Sequence, residues 1–318
     1  MDANSSNERR SAPSKSGCFS IQRELIEDDC PFESVEELSE AFGGESACAS
    51  FLEELRFPRG FICPRCECRE RPWRTGMGLL ACPGCRQPSS LTEGTPFHGS
   101  RIPLTRWFTT LWSWLEREDG LDEAAFGALL GTDDEAQARA YQAQLRALMG
   151  ARDVRLRGEV RLAMAKIPLS PDDDRVTPVI MALEHQACGS PRLRLRVLHK
   201  SSAGEVMRFA ADVIARGSLV VTPPWKGLGN LTTVGFLHTM RASQFDGAQR
   251  LDPNQVWSLV RLWLWSQPAR GVGASSLVDE LVFRFNHRHL GTGAAWTALM
   301  KRLVGAESVA KDVLEAVG

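Results

Sequence analysis

The sequence predicts an α/β protein. It would have N-terminal helices, a four-cysteine ribbon, a helical segment that could form a helix-turn-helix, and a C-terminal mixed sheet flanked by helices. Three observations carry this. Apolar residues recur every three or four positions through residues 31–55 and again through 101–150, which is the period of a helix with one buried face. Between those stretches stand Cys63-x-x-Cys66 and Cys82-x-x-Cys85. From about Arg157 onward, strand-like runs precede and alternate with helical ones, the pattern of a layered α/β unit.

Taken in order, residues 1–28 are rich in Ser, Asn and charge and lack the apolar side chains needed to offset ordering. The stretch has no apolar core, so it does not read as a secretory signal. Phe32, Val35, Leu38, Phe42, Cys48, Phe51, Leu52 and Leu55 predict helix, divided by Gly43-Gly44. Residues 29–100 are thus expected to be a helical lead-in and the ribbon. In 101–152, Trp107, Leu111, Trp114 and Leu115 form one stripe, and Leu121, Ala125, Leu129 and Leu130 another, closed by Gly131. Thr132-Asp-Asp-Glu135 has the form of a capping box opening the next helix. Within 153–318, Leu193, Leu195 and Val197 alternate with arginines, as in a half-buried strand. Val176–Leu183 and Leu219–Thr222 read as buried strands, and helical periodicity returns at 204–215, 255–265, 275–288 and 294–304.

Composition narrows the function classes. The 318 residues carry 38 Lys+Arg against 39 Asp+Glu, a formal charge of −1, with 43% hydrophobic residues. Wholly disordered and fibrous chains are excluded, and no apolar run approaches the roughly 18–20 residues of a membrane span. Nucleic-acid binding would have to come from a local basic patch. Nine cysteines, four of them tightly paired, do not suit a disulfide framework; a reducing cytoplasm is expected. Cys18, Cys30, Cys48 and Cys188 read as ordinary thiols, and Cys68 as a spare one that could compete with Cys66.

Cys63, Cys66, Cys82 and Cys85 have the spacing of a structural Zn2+ site. Each Cys-x-x-Cys turn aims two thiolates at one point, and two turns complete a tetrahedron with no open position for catalysis. Pro64 and Pro83 follow the first cysteine of each pair, and Gly84 is expected to relax the second turn. Around the first pair, Arg56, Arg59, Arg65, Arg69, Arg71 and Arg74 surround Trp73, with only Glu67 and Glu70 opposed. Guanidinium forks beside an aromatic suit a phosphate backbone; a solvated face is the equal alternative. If residues 132–149 were a recognition helix, then Arg139, Gln142, Gln144 and Arg146 would face DNA. A plain helical hairpin fits the same text, and Trp107, Trp112 and Trp114 read as core.

Several segments then resemble one bacterial insertion-sequence transposase group, the family numbered fifteen-ninety-five with its ISXO-two-like enzymes. Phe57-Pro-Arg-Gly-Phe-Ile-Cys-Pro-Arg-Cys66 is similar to the opening of its zinc ribbon. Ser90–Arg101 and Ile102–Phe108 resemble the segments that follow, Arg192–Ala203 and Gly217–Leu228 two stretches of its catalytic domain, and Val278–Arg288 its C-terminal signature. The resemblance implies a ribonuclease-H-like domain in which aspartates on adjacent strands hold two hard divalent cations for phosphoryl transfer. Here the positions matching the metal-binding acids are Ala163 and Pro223, and Asn254 and Arg261 stand in the third region. Bound Mg2+ is therefore not expected. The expectation is a catalytically inactive, transposase-like protein that binds double-stranded DNA. A homo-oligomer or a protein partner remains open and no membrane is involved. Two alternatives stand: an active enzyme with relocated ligands, for which Asp172, Asp173 and Asp174 are the obvious acids, or a protein-interaction scaffold. Asp279-Glu280 reads as a structural ion pair, and His287 and His289 as a polar helix end that could also meet phosphate.

Overall fold

The computed structural model describes residues 32–76, 78–150, 154–168, 176–185, 190–225, 231–241, 253–267 and 273–305. The tail 1–28, Cys18, Cys30, Cys188 and Asp172–Asp174 fall outside these residues.

Two helices open the described chain, α1 (Val35–Ala41) and α2 (Glu45–Arg56), separated at Gly43-Gly44 as the sequence predicts. Ser34 caps α1 by accepting the Glu37 N–H. Three two-residue strands, β1 (Trp73–Arg74), β2 (Leu80–Ala81) and β3 (Pro88–Ser89), make an antiparallel sheet in the ribbon. Three helices follow: α3 (Leu104–Glu116), α4 (Glu123–Leu130) and α5 (Glu135–Met149). Gly131 ends α4 in the left-handed region, φ 78°, a conformation that costs glycine nothing.

The start of α5 differs from the expected capping box. Asp134 is the cap, accepting the N–H groups of Ala136 and Gln137, while the Thr132 hydroxyl, two residues earlier, accepts from the Asp134 N–H. Asp is at least as good a cap as Thr, so the helix begins two residues later. The N-terminus of α3 lacks a cap of its own because Pro103 stands there. Glu45, in the first turn of α2, supplies one from a distance: its two carboxylate oxygens accept the N–H groups of Leu104 and Thr105, each at 2.9 Å.

The larger sheet contains β4 (Glu159–Pro168), β5 (Val176–His185), β6 (Arg192–Val197), β7 (Leu219–Thr222) and β8 (Leu237–Met240), in the order β6-β5-β4-β7-β8. The first three form an antiparallel meander; β4–β7 and β7–β8 are parallel. Helix α6 (Ala203–Val213) provides the crossover from β6 to β7. Both faces are covered, which explains the continuous apolar text of β5. One face packs Ala163, Ile167, Val179, Met181 and Leu195 against α7 (Pro253–Ser266) and α8 (Ala274–His287). The other packs Val160, Leu162, Ile180 and Val220 against α6.

The last described helix, α9 (Gly291–Gly305), leaves the sheet. Its Trp296, Leu299, Met300 and Leu303 join Phe42, Phe51, Phe108 and Trp112 in one core beneath the ribbon. Trp296 stacks on Phe51 with ring centroids 5.6 Å apart and donates its indole N–H to the Phe108 carbonyl. The sequence places this helix in the 153–318 domain; structurally it completes the N-terminal core. Trp107, Trp112 and Trp114 are fully buried, as expected.

Candidate metal centre and nucleic-acid interface

The two cysteine turns are built alike. In the first, the Cys63 N–H donates to the Cys68 carbonyl and the Glu67 N–H to the Cys63 carbonyl; in the second, Cys82 N–H meets the Gln87 carbonyl and Arg86 N–H the Cys82 carbonyl. Each turn closes on a left-handed residue after its second cysteine, Glu67 at φ 58° and Arg86 at φ 59°. That conformation costs a non-glycine residue about 1–2 kcal/mol, so the turns hold it against its own preference. Gly84 does not relax its turn, since its φ is not positive. It is needed for space: a Cβ there would stand 3.1 Å from the Cys68 Cβ and 3.3 Å from its Sγ.

The turns face each other so that the four sulfurs lie within 4.8 Å of one another. Across the two turns, the Cys63 and Cys85 sulfurs stand 3.7 Å apart and those of Cys66 and Cys82 3.6 Å apart. A tetrahedron of sulfurs at about 2.3 Å from zinc has edges of about 3.8 Å, so the arrangement fits structural Zn2+. Backbone N–H groups prepare the sulfurs for ionisation. Those of Cys85 and Gly84 bring the Cys82 thiol down to about 6, and those of Arg65 and Cys66 lower Cys63. The Cys68 N–H lowers Cys66 too, but burial and the surrounding thiols outweigh it and push Cys66 up to about 12. Four thiolates this close need a cation to coexist. Among the described residues, no other group of three or more His, Cys, Asp or Glu side chains is placed to hold a metal ion.

The ribbon arginines divide. Arg59, Arg65, Arg69 and Arg71 are exposed. Trp73 on β1 is also exposed, at 48%. Arg74 forms an ion pair with Glu53 of α2. Arg56 is a latch: its guanidinium donates to the carbonyls of Leu91 at 3.0 Å and Glu93 at 2.7 Å, tying α2 to the chain leaving the ribbon.

In the helical segment, α4 and α5 are joined by residues 131–134, a length compatible with helix-turn-helix. Arg139 is exposed and lies 3.6 Å from Glu123; Gln144 is exposed as well. Two of the residues expected to face DNA face the interior instead. Gln142 is buried, with its amide donating to the Leu121 carbonyl. Arg146 is 1% exposed and pairs with Glu280 of α8 at 2.8 Å. Both share the stripe of Ala138, Leu145 and Met149. Glu280 is fully buried and also holds Arg284 at 2.9 Å. Arg284 in turn donates to the carbonyls of Trp114, Leu115 and Arg117 at the end of α3. This network, which the sequence did not reveal, joins α3, α5 and α8. The ion pair expected at Asp279-Glu280 is thus formed by Glu280 with two arginines.

The remainder of that C-terminal segment is structural too. Asn286 clamps Leu193 on β6 through both its N–H and its carbonyl, and His287 bonds the Phe283 carbonyl. His289 is exposed. Ala163 lies in the middle of β4, 9% exposed and packed among the residues facing α7 and α8. The last β4–β7 register pair is Arg161 with Val221; continuing it two residues sets Pro223 beside Ala163. Asn254 lies exposed in the first turn of α7, and Arg261 two turns further along, its guanidinium 3.5 Å from Ser258.

A family model described as a transposase zinc-ribbon domain matches residues 43–88, which span α2 and both cysteine turns. This likeness links the segment to transposase-related DNA binding. No curated protein matches the chain. No helix among the described residues is long and apolar enough to cross a membrane.

Proposed function

We propose that this chain is a transposase-derived, ribbon-dependent DNA-binding protein whose sheet domain no longer performs two-metal chemistry. The observation that carries the DNA-binding half is the four-cysteine site inside a segment matching a transposase zinc ribbon, beside four exposed arginines. For the sheet domain, an antiparallel meander whose first strand is continued by two parallel strands supports a ribonuclease-H-like assignment. In such a domain the metal ligands would come from neighbouring positions on β4 and just after β7. The residues there are Ala163 and Pro223. A methyl group and a pyrrolidine ring offer no oxygen to a hard cation, so the residues present do not fit Mg2+.

The test is selection of bound duplexes from a random pool with zinc-loaded protein. An enriched motif that disappears in Cys63→Ser supports the proposal. Metal-dependent strand cleavage by the intact chain would overturn the inactive assignment. A protein-partner role has one observation in its favour: Leu259, Leu262 and Trp265 on α7 are 39–63% exposed. Absence of any salt-dependent DNA affinity would favour that second reading.

A further inference from the structure

Where the chain leaves the ribbon and meets the α4–α5 turn, it leaves a cleft of about 590 Å³. One wall is the segment 99–103 with Arg106 on α3; the other is Gly131, Thr132 and the first turns of α5 with Gln137 and Tyr141. None of the residues lining it is acidic. Its polar groups are predominantly hydrogen-bond donors. Among the described residues, the guanidinium groups of Arg101 and Arg106 have neither an ion pair nor a hydrogen bond, and both residues are exposed. The Gln137 carbonyl oxygen is taken by the Thr132 hydroxyl at 3.0 Å, which leaves its NH2 to donate. Ser100 Oγ already accepts from the Ile102 N–H and the Trp107 indole N–H, leaving its own O–H to donate. Arg106 is held over Gly131, where a Cβ would stand 3.1 Å from its Nη1; a larger residue there would displace the guanidinium.

A concave site with two unpaired guanidinium groups and no carboxylate selects a ligand that is anionic and only accepts hydrogen bonds. The volume is far larger than a single small anion needs and falls within the range of nucleotide-sized sites. We propose that this cleft binds the phosphodiester backbone of DNA, with Arg101 and Arg106 as phosphate ligands. The proposal rests on the DNA-binding function above and extends it from the ribbon to the junction with the helical segment. It also gives the Arg56 latch a role, since that latch fixes the chain leading into the cleft wall.

The experiment uses the full chain loaded with zinc and a short duplex, with affinity followed between about 50 and 200 mM salt. The Arg101→Gln/Arg106→Gln double variant should reduce the slope of log affinity against log salt by about 2. It should keep the wild-type melting temperature, because both side chains are exposed and unpaired. Arg101→Lys/Arg106→Lys should retain the slope, which separates charge from folding. If wild type binds with a steep slope and the Gln variant matches it, the cleft proposal is overturned and ribbon binding stands. If wild type has no salt-dependent affinity, both fall. A mononucleotide that binds through Arg101 and Arg106 without a change in the duplex slope would overturn the DNA backbone as ligand in favour of a free nucleotide.

Discussion

Glu280 is fully buried between two guanidinium groups, and its neighbours have few alternatives. Arg146 already leaves its Nη2 without a partner. Glu280→Ala would strand a buried cation, a change that costs about 3–5 kcal/mol. The expected result is a large drop in the urea midpoint for Glu280→Ala, with a smaller further loss on adding Arg146→Met, because the second change removes the stranded charge. Equal and additive losses would show that the two residues do not act as a pair. Cys48 offers a second residue-scale prediction. Burial, with the Glu45 carboxylate adding to it and the backbone bond opposing, pushes its thiol up to about 12. Native protein treated with iodoacetamide at mildly alkaline pH should leave Cys48 unmodified in a peptide map, and urea should expose it. Sequence alone misplaced Arg146 for a related reason. A charged residue on a buried stripe makes sense only once its acid partner is known, and Glu280 is 134 positions away.

Elements depend on one another through caps and turns. The start of α3 relies on Glu45 of α2, so Glu45→Ala should destabilise the helical core by about 1 kcal/mol and lower the melting temperature by a few degrees. Glu45→Gln keeps the acceptor oxygen but not the charge and should lose less. The ribbon depends on its metal in the same way. It has only three two-residue strands, and zinc coordination supplies much of the folding free energy of such segments. Cys63→Ser should lower zinc content by elemental analysis and make the ribbon protease-sensitive while the five-stranded sheet stays intact; unchanged zinc content would refute the ligand assignment. The metal site was legible because Cys-x-x-Cys spacing is a local constraint. The function of Gly84 was not, because the atom it makes room for, Cys68 Sγ, belongs to the other turn.

Over the whole molecule, periodicity gave the described helices within a few residues and the strands β5, β6 and β7, while β8 and the two-residue ribbon strands are too short to show a pattern; the layered α/β class followed from the order of the rest. It did not give the destination of α9. A helix that follows a sheet domain in sequence is most simply packed on that sheet, and nothing local marks Trp296 as belonging beside Phe51. Ending the chain at Leu290 should therefore damage the distant half. The fluorescence of buried Trp107, Trp112 and Trp114 should shift to the red, while circular dichroism retains the signal of the sheet. Net charge sets a further limit at this scale. With a formal charge of −1, attraction to DNA must be confined to one side, so raising salt should abolish binding far more steeply than the whole-chain charge suggests.

The return of α9 has a consequence for synthesis. The ribbon can take up its metal soon after residue 85 leaves the ribosome, because both cysteine turns are then complete. The aromatic core beneath it must wait until residues 291–305 emerge, after the entire sheet domain has been made. During that interval Phe42, Phe51 and Phe108 lack their tryptophan partner and expose apolar surface. Non-local closure of this kind slows folding and leaves intermediates prone to association. The nascent chain thus carries a metallated but unfinished N-terminal core, with apolar surface uncovered, until residues 291–305 arrive.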